Sequence, residues 1–228
     1  RALAVGDMNG DLGGHARVLL RVSSMTGYAP HTRSLRVVTL GALQESVVME
    51  PAITRDDKDW SVVITEGCPE CGFDPRVDVT TASGLIRESV PFWREVLGRE
   101  DVRRRPHPTM WSPLEYGCHV RDVCRVFEGR LRLMLAEDDA RFADWDQDAA
   151  AVAERYDEQD PSQVAEEYAS AAAALASGFD AVSAEQWQRR GTRSNGTHFT
   201  VATFAVYLLH DLLHHQGDVV ERESVERD

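Results

Sequence analysis

An all-α helix bundle is the fold class that the sequence predicts. Apolar residues recur at spacings of three and four over four long stretches, and the two-residue alternation of strands is almost absent. The 228 residues suffice for one domain with a full core. No internal repeat interrupts the chain.

In chain order, residues 49–75 read as an irregular N-terminal arm. Within it Trp60-Ser61-Val62-Val63-Ile64 has the composition of a short strand, and Cys68-Pro69-Glu70-Cys71-Gly72 that of a turn. The bundle is expected over 76–228. Its first helix carries Leu85, Ile86, Val90, Trp93, Val96 and Leu97, with Pro91 inside expected to kink or break it. The second has a strong start, Ser112-Pro113-Leu114-Glu115: an N-cap serine, proline at the first helical position and glutamate three residues after the serine. Val120, Val123, Phe127, Leu131 and Met134 carry it to about Glu137. An acidic link and a short helix near 149–156 follow. The third helix opens at Asp160 or Pro161, runs through the alanines of 169–176 and either continues to Phe179 or breaks at Gly178 and resumes near Ala184-Glu185-Gln186-Trp187. After a loop at 191–196, the last helix begins near Thr197 and carries Val201, Phe204, Leu208, Leu209 and Leu212.

Composition excludes several classes. A net charge of −13 argues against a nucleic-acid partner, which needs basic patches, and disfavours an anionic membrane. No run of eighteen apolar residues and no signal-peptide pattern is present, and four cysteines are too few for a secreted disulfide scaffold. A cytoplasmic protein is expected.

Residues 1–48 differ from the remainder. All five Trp and all seven Phe lie beyond them, and the stretch shows little periodicity. This segment is expected to be a non-native upstream extension, poorly packed or disordered, with translation starting at Met49. Its Ala4-Val5-Gly6-Asp7-Met8-Asn9-Gly10-Asp11 resembles the first metal motif of calcineurin-like phosphoesterases. Asn9 stands where that motif needs His, and the later blocks are missing, so coincidence is the better account.

Chemistry concentrates at the last helix. Six of the eight His follow residue 48, and three are packed into His210-Asp211-Leu212-Leu213-His214-His215. His210 and His214 are four apart and project from one helix face, a usual two-ligand arrangement for zinc, nickel, iron or cobalt. A structurally satisfied or exposed pair is the alternative. His119, near the start of the second helix, is a candidate third ligand. Three imidazoles with open positions would make a catalytic type of site.

Trp111-Ser112-Pro113-Leu114-Glu115-Tyr116-Gly117-Cys118-His119-Val120-Arg121-Asp122-Val123 and His210-Asp211-Leu212-Leu213-His214-His215-Gln216-Gly217-Asp218-Val219 resemble the two metal-binding blocks of the DinB superfamily. The branch they are most similar to is that of mycothiol-dependent maleylpyruvate isomerase, and Cys68-Pro69-Glu70-Cys71-Gly72-Phe73-Asp74 resembles an amino-terminal signature of that branch. The resemblance implies a four-helix bundle of up-down-down-up topology with a divalent metal, zinc first, on His119, His210 and His214. Some members carry Glu at the position of His210. His215, about 100° around the helix from His214, is the lesser candidate. Asp211 and Asp218 are either partners that orient an imidazole or exposed acids.

The activity implied is thiol S-transfer or thiol-assisted isomerisation of a small electrophile, with mycothiol or a similar low-molecular-weight thiol as cosubstrate. A non-catalytic, stress-associated metal-binding protein and a metal-dependent hydrolase are the alternatives. Monomer and homodimer are both compatible. Cys68 and Cys71 read as a structural turn, a redox pair or half of a zinc site, which would need two further ligands. Arg103-Arg104-Arg105 reads as a solvated loop or an anion site, and Trp111 and Tyr116 as packing residues.

Overall fold

The computed structural model describes residues 53–55 and 58–225, with side chains as far as Val220. The expected upstream extension, residues 1–48, lies outside the described residues.

The fold is mostly helical. Its helices are α1 (Val63–Glu66), α2 (Ala82–Leu97), α3 (Pro113–Ala136), α4 (Gln147–Ala153), α5 (Pro161–Asp180) and α6 (Val201–Val225), of which α2, α3, α5 and α6 are long. The starts follow from local chemistry. Ser112 and Glu115 form a reciprocal capping box at α3: Glu115 N–H donates to Ser112 Oγ and Ser112 N–H to Glu115 Oε2 at 2.8 Å. The Asp160 carboxylate accepts from Gln163 N–H at 2.9 Å, with Pro161 at the first helical position of α5.

Alpha5 packs against both α2 and α3, and α6 against the same two helices. Ala171, Ala172 and Ala176 are buried, so α5 approaches its neighbours closely. The common core contains Trp93, Leu131, Met134, Tyr168, Leu175, Phe204 and Leu208, all fully buried. Each large apolar side chain removed from water contributes about 1.5–3 kcal/mol before conformational entropy is subtracted. The one buried polar contact between α2 and α5 is satisfied: Ser89 Oγ and Tyr168 Oη lie 2.6 Å apart.

Several expectations are corrected. Trp60–Ile64 is no strand: a 3-10 turn over Trp60–Val62 leads into α1, because the Asp59 carboxylate caps Ser61 N–H at 3.0 Å. Pro91 does not break α2; it lies on the exposed side, so the backbone acceptor it leaves unserved faces water. Of the two ends read for the third helix, the unbroken one holds: α5 continues through Gly178 to Asp180. The expected loop at 191–196 is largely a hairpin. Strands β1 (Ala140–Phe142), β2 (Arg190–Arg193) and β3 (His198–Thr200) form a small sheet, β1 parallel and β3 antiparallel to β2. The hairpin turns at Asn195-Gly196, where Gly196 has φ 94°. Strands of three or four residues are too short to show alternation. The last helix consequently starts at Val201 rather than Thr197.

A candidate metal centre beside a cavity

Two stripes of α6 carry the chemistry. Consecutive residues of a helix are rotated by about 100°, so His210 and His214 form one stripe and Asp211 and His215 the next. The structure separates these stripes. Asp211 and His215 gather with His119 of α3, whereas His210 and His214 gather with Cys68 and Cys71 of the arm; within each group the candidate ligand atoms lie within 4.8 Å of one another. The three histidines anticipated as one ligand set are therefore divided between two clusters. Alpha3 faces the 211/215 stripe and the arm faces the 210/214 stripe, a choice that spacing within one helix does not encode.

The first cluster is built around a buried imidazole. The capping box fixes where α3 begins, and His119 falls in its second turn with no exposed surface. Its ring stacks on Trp145 at 5.6 Å and meets Trp111 at 5.2 Å and His215 edge-on at 4.7 Å. Nε2 of His119 is 3.5 Å from Asp211 Oδ1, and Nε2 of His215 is 3.7 Å from the same oxygen. On the other edge of the His215 ring, Nδ1 lies 2.8 Å from Asp218 Oδ2. That contact places a proton on Nδ1 and leaves Nε2 with a lone pair toward the cluster.

Three groups thus converge with their acceptor atoms inward. Nδ1 and Nε2 of His119 and Oδ1 of Asp211 are buried without a directed hydrogen bond. Burial, the largest influence, pushes the His119 pKa down despite Asp211, which keeps the imidazole neutral near pH 7. Burial pushes Asp211 up, but His119 and the other nearby imidazoles outweigh it and the net shift is downward, so the carboxylate is ionised. A neutral imidazole and an ionised carboxylate whose buried His119 nitrogens and Asp211 Oδ1 lack hydrogen-bond partners, with the His215 ring beside them, fit a divalent cation. Two nitrogens and one carboxylate leave open positions, the arrangement of catalytic rather than structural sites.

A cavity of ≈ 390 Å³ adjoins the cluster. Asp211, His215 and Asp218 line it together with Trp60, Trp111, Tyr116 and Tyr207, and Lys58, Thr54 and Gln147 add polar groups. Trp111 and Tyr116, read from the sequence as packing residues, do pack on each other at 5.4 Å, and both also wall the cavity. The arginine loop serves structure. Arg105 donates two hydrogen bonds to the Glu115 carboxylate, and Arg103 donates to the backbone oxygens of Asp157 and Gln159.

Asp211 and His215, ranked by the sequence below His119, His210 and His214, are the residues that the structure sets beside His119. A signal existed: Asp211-x-x-x-His215 is a carboxylate four residues before an imidazole, the same helical spacing as His210 and His214.

A mostly helical bundle with a His-Asp-His cluster that could hold a metal ion between two of its long helices is the class that fold and site define. The chain belongs to the DinB superfamily, whose family model matches residues 87–219. Among solved structures it is similar to YfiT from Bacillus subtilis, described as "a probable metal-dependent hydrolase with an unusual four-helix bundle topology". The two share 14% identity with a TM-score of 0.60, over 68% of this chain and 94% of that one. At that identity the likeness establishes the fold alone. No curated protein matches the chain in sequence.

Proposed function

We propose that this protein is a metal-dependent enzyme that joins a low-molecular-weight thiol, mycothiol or a similar one, to a small electrophile, as an S-transferase or an isomerase. The observation that carries the reading is the His119-Asp211-His215 cluster, with unserved buried atoms on His119 and Asp211, beside the aromatic-walled cavity. A divalent ion held there, zinc or alternatively nickel, iron or cobalt, would supply a Lewis acid that lowers the pKa of the incoming thiol. The protein's residues do the positioning. Asp218 holds the tautomer of His215, Trp145 and Trp111 immobilise His119, and the aromatic walls exclude water from the reacting pair. The up-down-down-up helix order, cytoplasmic action and a monomeric or homodimeric state without nucleic-acid or membrane partners belong to the same reading. Among the described residues, no helix is long and apolar enough to cross a membrane.

The test is turnover of a maleylpyruvate-type electrophile by the full chain with and without mycothiol, alongside His119→Ala and His215→Ala. Thiol-dependent turnover that falls at least about 100-fold in both variants is expected. Turnover that needs no thiol would replace this reading with a hydrolase. Metal binding without turnover of any electrophile would leave a non-catalytic metal-binding protein.

A further inference from the structure

The second cluster is given no step in the proposed reaction, although His210 and His214 line the same cavity. Cys68 and Cys71 sit on a tight turn in the arm, closed by a hydrogen bond from Gly72 N–H to Cys68 O at 2.9 Å and by one from Cys68 N–H to Phe73 O at 3.0 Å. Gly67 and Gly72 have φ of 75° and 74°. A Cβ on Gly67 would stand 2.5 Å from the Phe73 carbonyl oxygen, so this turn needs glycine there. His210 and His214 reach the same place from successive turns of α6, and Cys68 Sγ lies 3.7 Å from His214 Nδ1. Trp60 packs on both imidazoles, at 5.1 and 4.9 Å, and Phe73 on His210 at 5.5 Å.

We propose that Cys68, Cys71, His210 and His214 form a closed structural zinc site that fastens the N-terminal arm to α6. The four ligand atoms lie within 4.8 Å of one another. Ligands of a tetrahedral zinc, with Zn–S of about 2.3 Å and Zn–N of about 2.0 Å, stand about 3.5 Å apart, close to the observed Cys68–His214 separation. Two thiolates with two imidazoles select zinc over hard cations such as magnesium or calcium. Cys68 and His210 are buried, and His210 Nε2 has no hydrogen-bond partner. All four cysteines are free thiols. On binding, the two thiols would lose their protons to solvent and the ion would take four protein ligands. No position then remains for a substrate, so the role is structural. The arm also brings Trp60 to the cavity wall, which makes the site a brace for the neighbouring pocket.

The test is Co²⁺ titration of the full chain, reduced and stripped of metal, followed by optical absorption. One Co²⁺ per chain is expected to give a sulfur-to-cobalt charge-transfer band and the intense visible bands of a tetrahedral ion. Cys68→Ser/Cys71→Ser should lose that band and one equivalent of bound metal, while a cobalt ion at His119-Asp211-His215 would persist without a sulfur band. His119→Ala should keep the sulfur band, so the two sites can fail independently. The absence of a charge-transfer band in folded wild-type protein would overturn the proposal. So would a Cys68–Cys71 disulfide in protein purified without reductant, or a band that persists in the double-serine variant. Should that variant fail to fold, His214→Cys decides in its place: a third sulfur ligand must strengthen the band, and an unaltered band overturns the proposal.

Discussion

At residue scale, Glu115 shows one side chain serving two structural purposes. Its carboxylate closes the capping box of α3 and accepts two hydrogen bonds from Arg105, one at 2.9 Å, while nearly buried. Burial, the largest influence, pushes its pKa up, but Arg105 and Ser112 together outweigh it and the net shift is downward. A carboxyl whose folded-state pKa is depressed stabilises the fold above its unfolded pKa of about 4.3 and loses that contribution as pH falls through the folded value. Glu115→Gln should therefore lower stability by about 2–3 kcal/mol at pH 7, allowing for the partial exposure of Arg105. Denaturant melts at pH 7 and pH 3 check this: the gap between wild type and variant should narrow at the lower pH. The capping-box half of this arrangement was legible in Ser112-Pro113-Leu114-Glu115. The Arg105 half was not, because a contact across a Pro-containing loop has no periodic signature.

At the scale of elements, α2 carries a cost that its burial pattern isolates. Pro91 lies within an otherwise regular helix of 16 residues, on its exposed side, while Ile86, Trp93, Val96 and Leu97 fill the core. An internal proline costs a helix about 3 kcal/mol, partly offset by the entropy it removes from the unfolded chain. Pro91→Ala should stabilise the protein by about 1–3 kcal/mol, read as a raised urea midpoint with an unchanged slope. An unchanged or lowered midpoint would mean that the entropy Pro91 removes from the unfolded chain offsets its cost to the helix. The four long helices were visible as period-3.6 stretches because each buries one stripe against the others. The small sheet was missed for the opposite reason. Its strands are short and partly polar, and only Asn195-Gly196 advertised a hairpin.

For the molecule as a whole, the two proposed metal sites would make metal content part of stability. A ligand present at about 1,000 times its dissociation constant stabilises the folded state by about 4 kcal/mol. For a chain of this size that corresponds to roughly 10 °C in melting midpoint. Dialysis against a chelator should lower the midpoint by about that amount, and added zinc should restore it, measured by scanning calorimetry on the full chain. If His119→Ala protein retains most of the shift and Cys68→Ser/Cys71→Ser protein loses it, the stabilising ion is the one at the arm.

The helical class, the N-caps of α3 and α5, the resemblance to the DinB superfamily and the concentration of candidate ligand residues at 210–215 are all readable along the chain. Those features are local or periodic, and a single helix or turn expresses them. Only the tertiary structure decided how that chemistry is shared. His-Asp-x-x-His-His offers two adjacent stripes with the same four-residue spacing, and nothing along one helix says which stripe a neighbour will cover. Packing α3 against 211 and 215, and folding the Cys68–Cys71 turn against 210 and 214, resolves that degeneracy. It places the three expected histidines in two clusters of different composition.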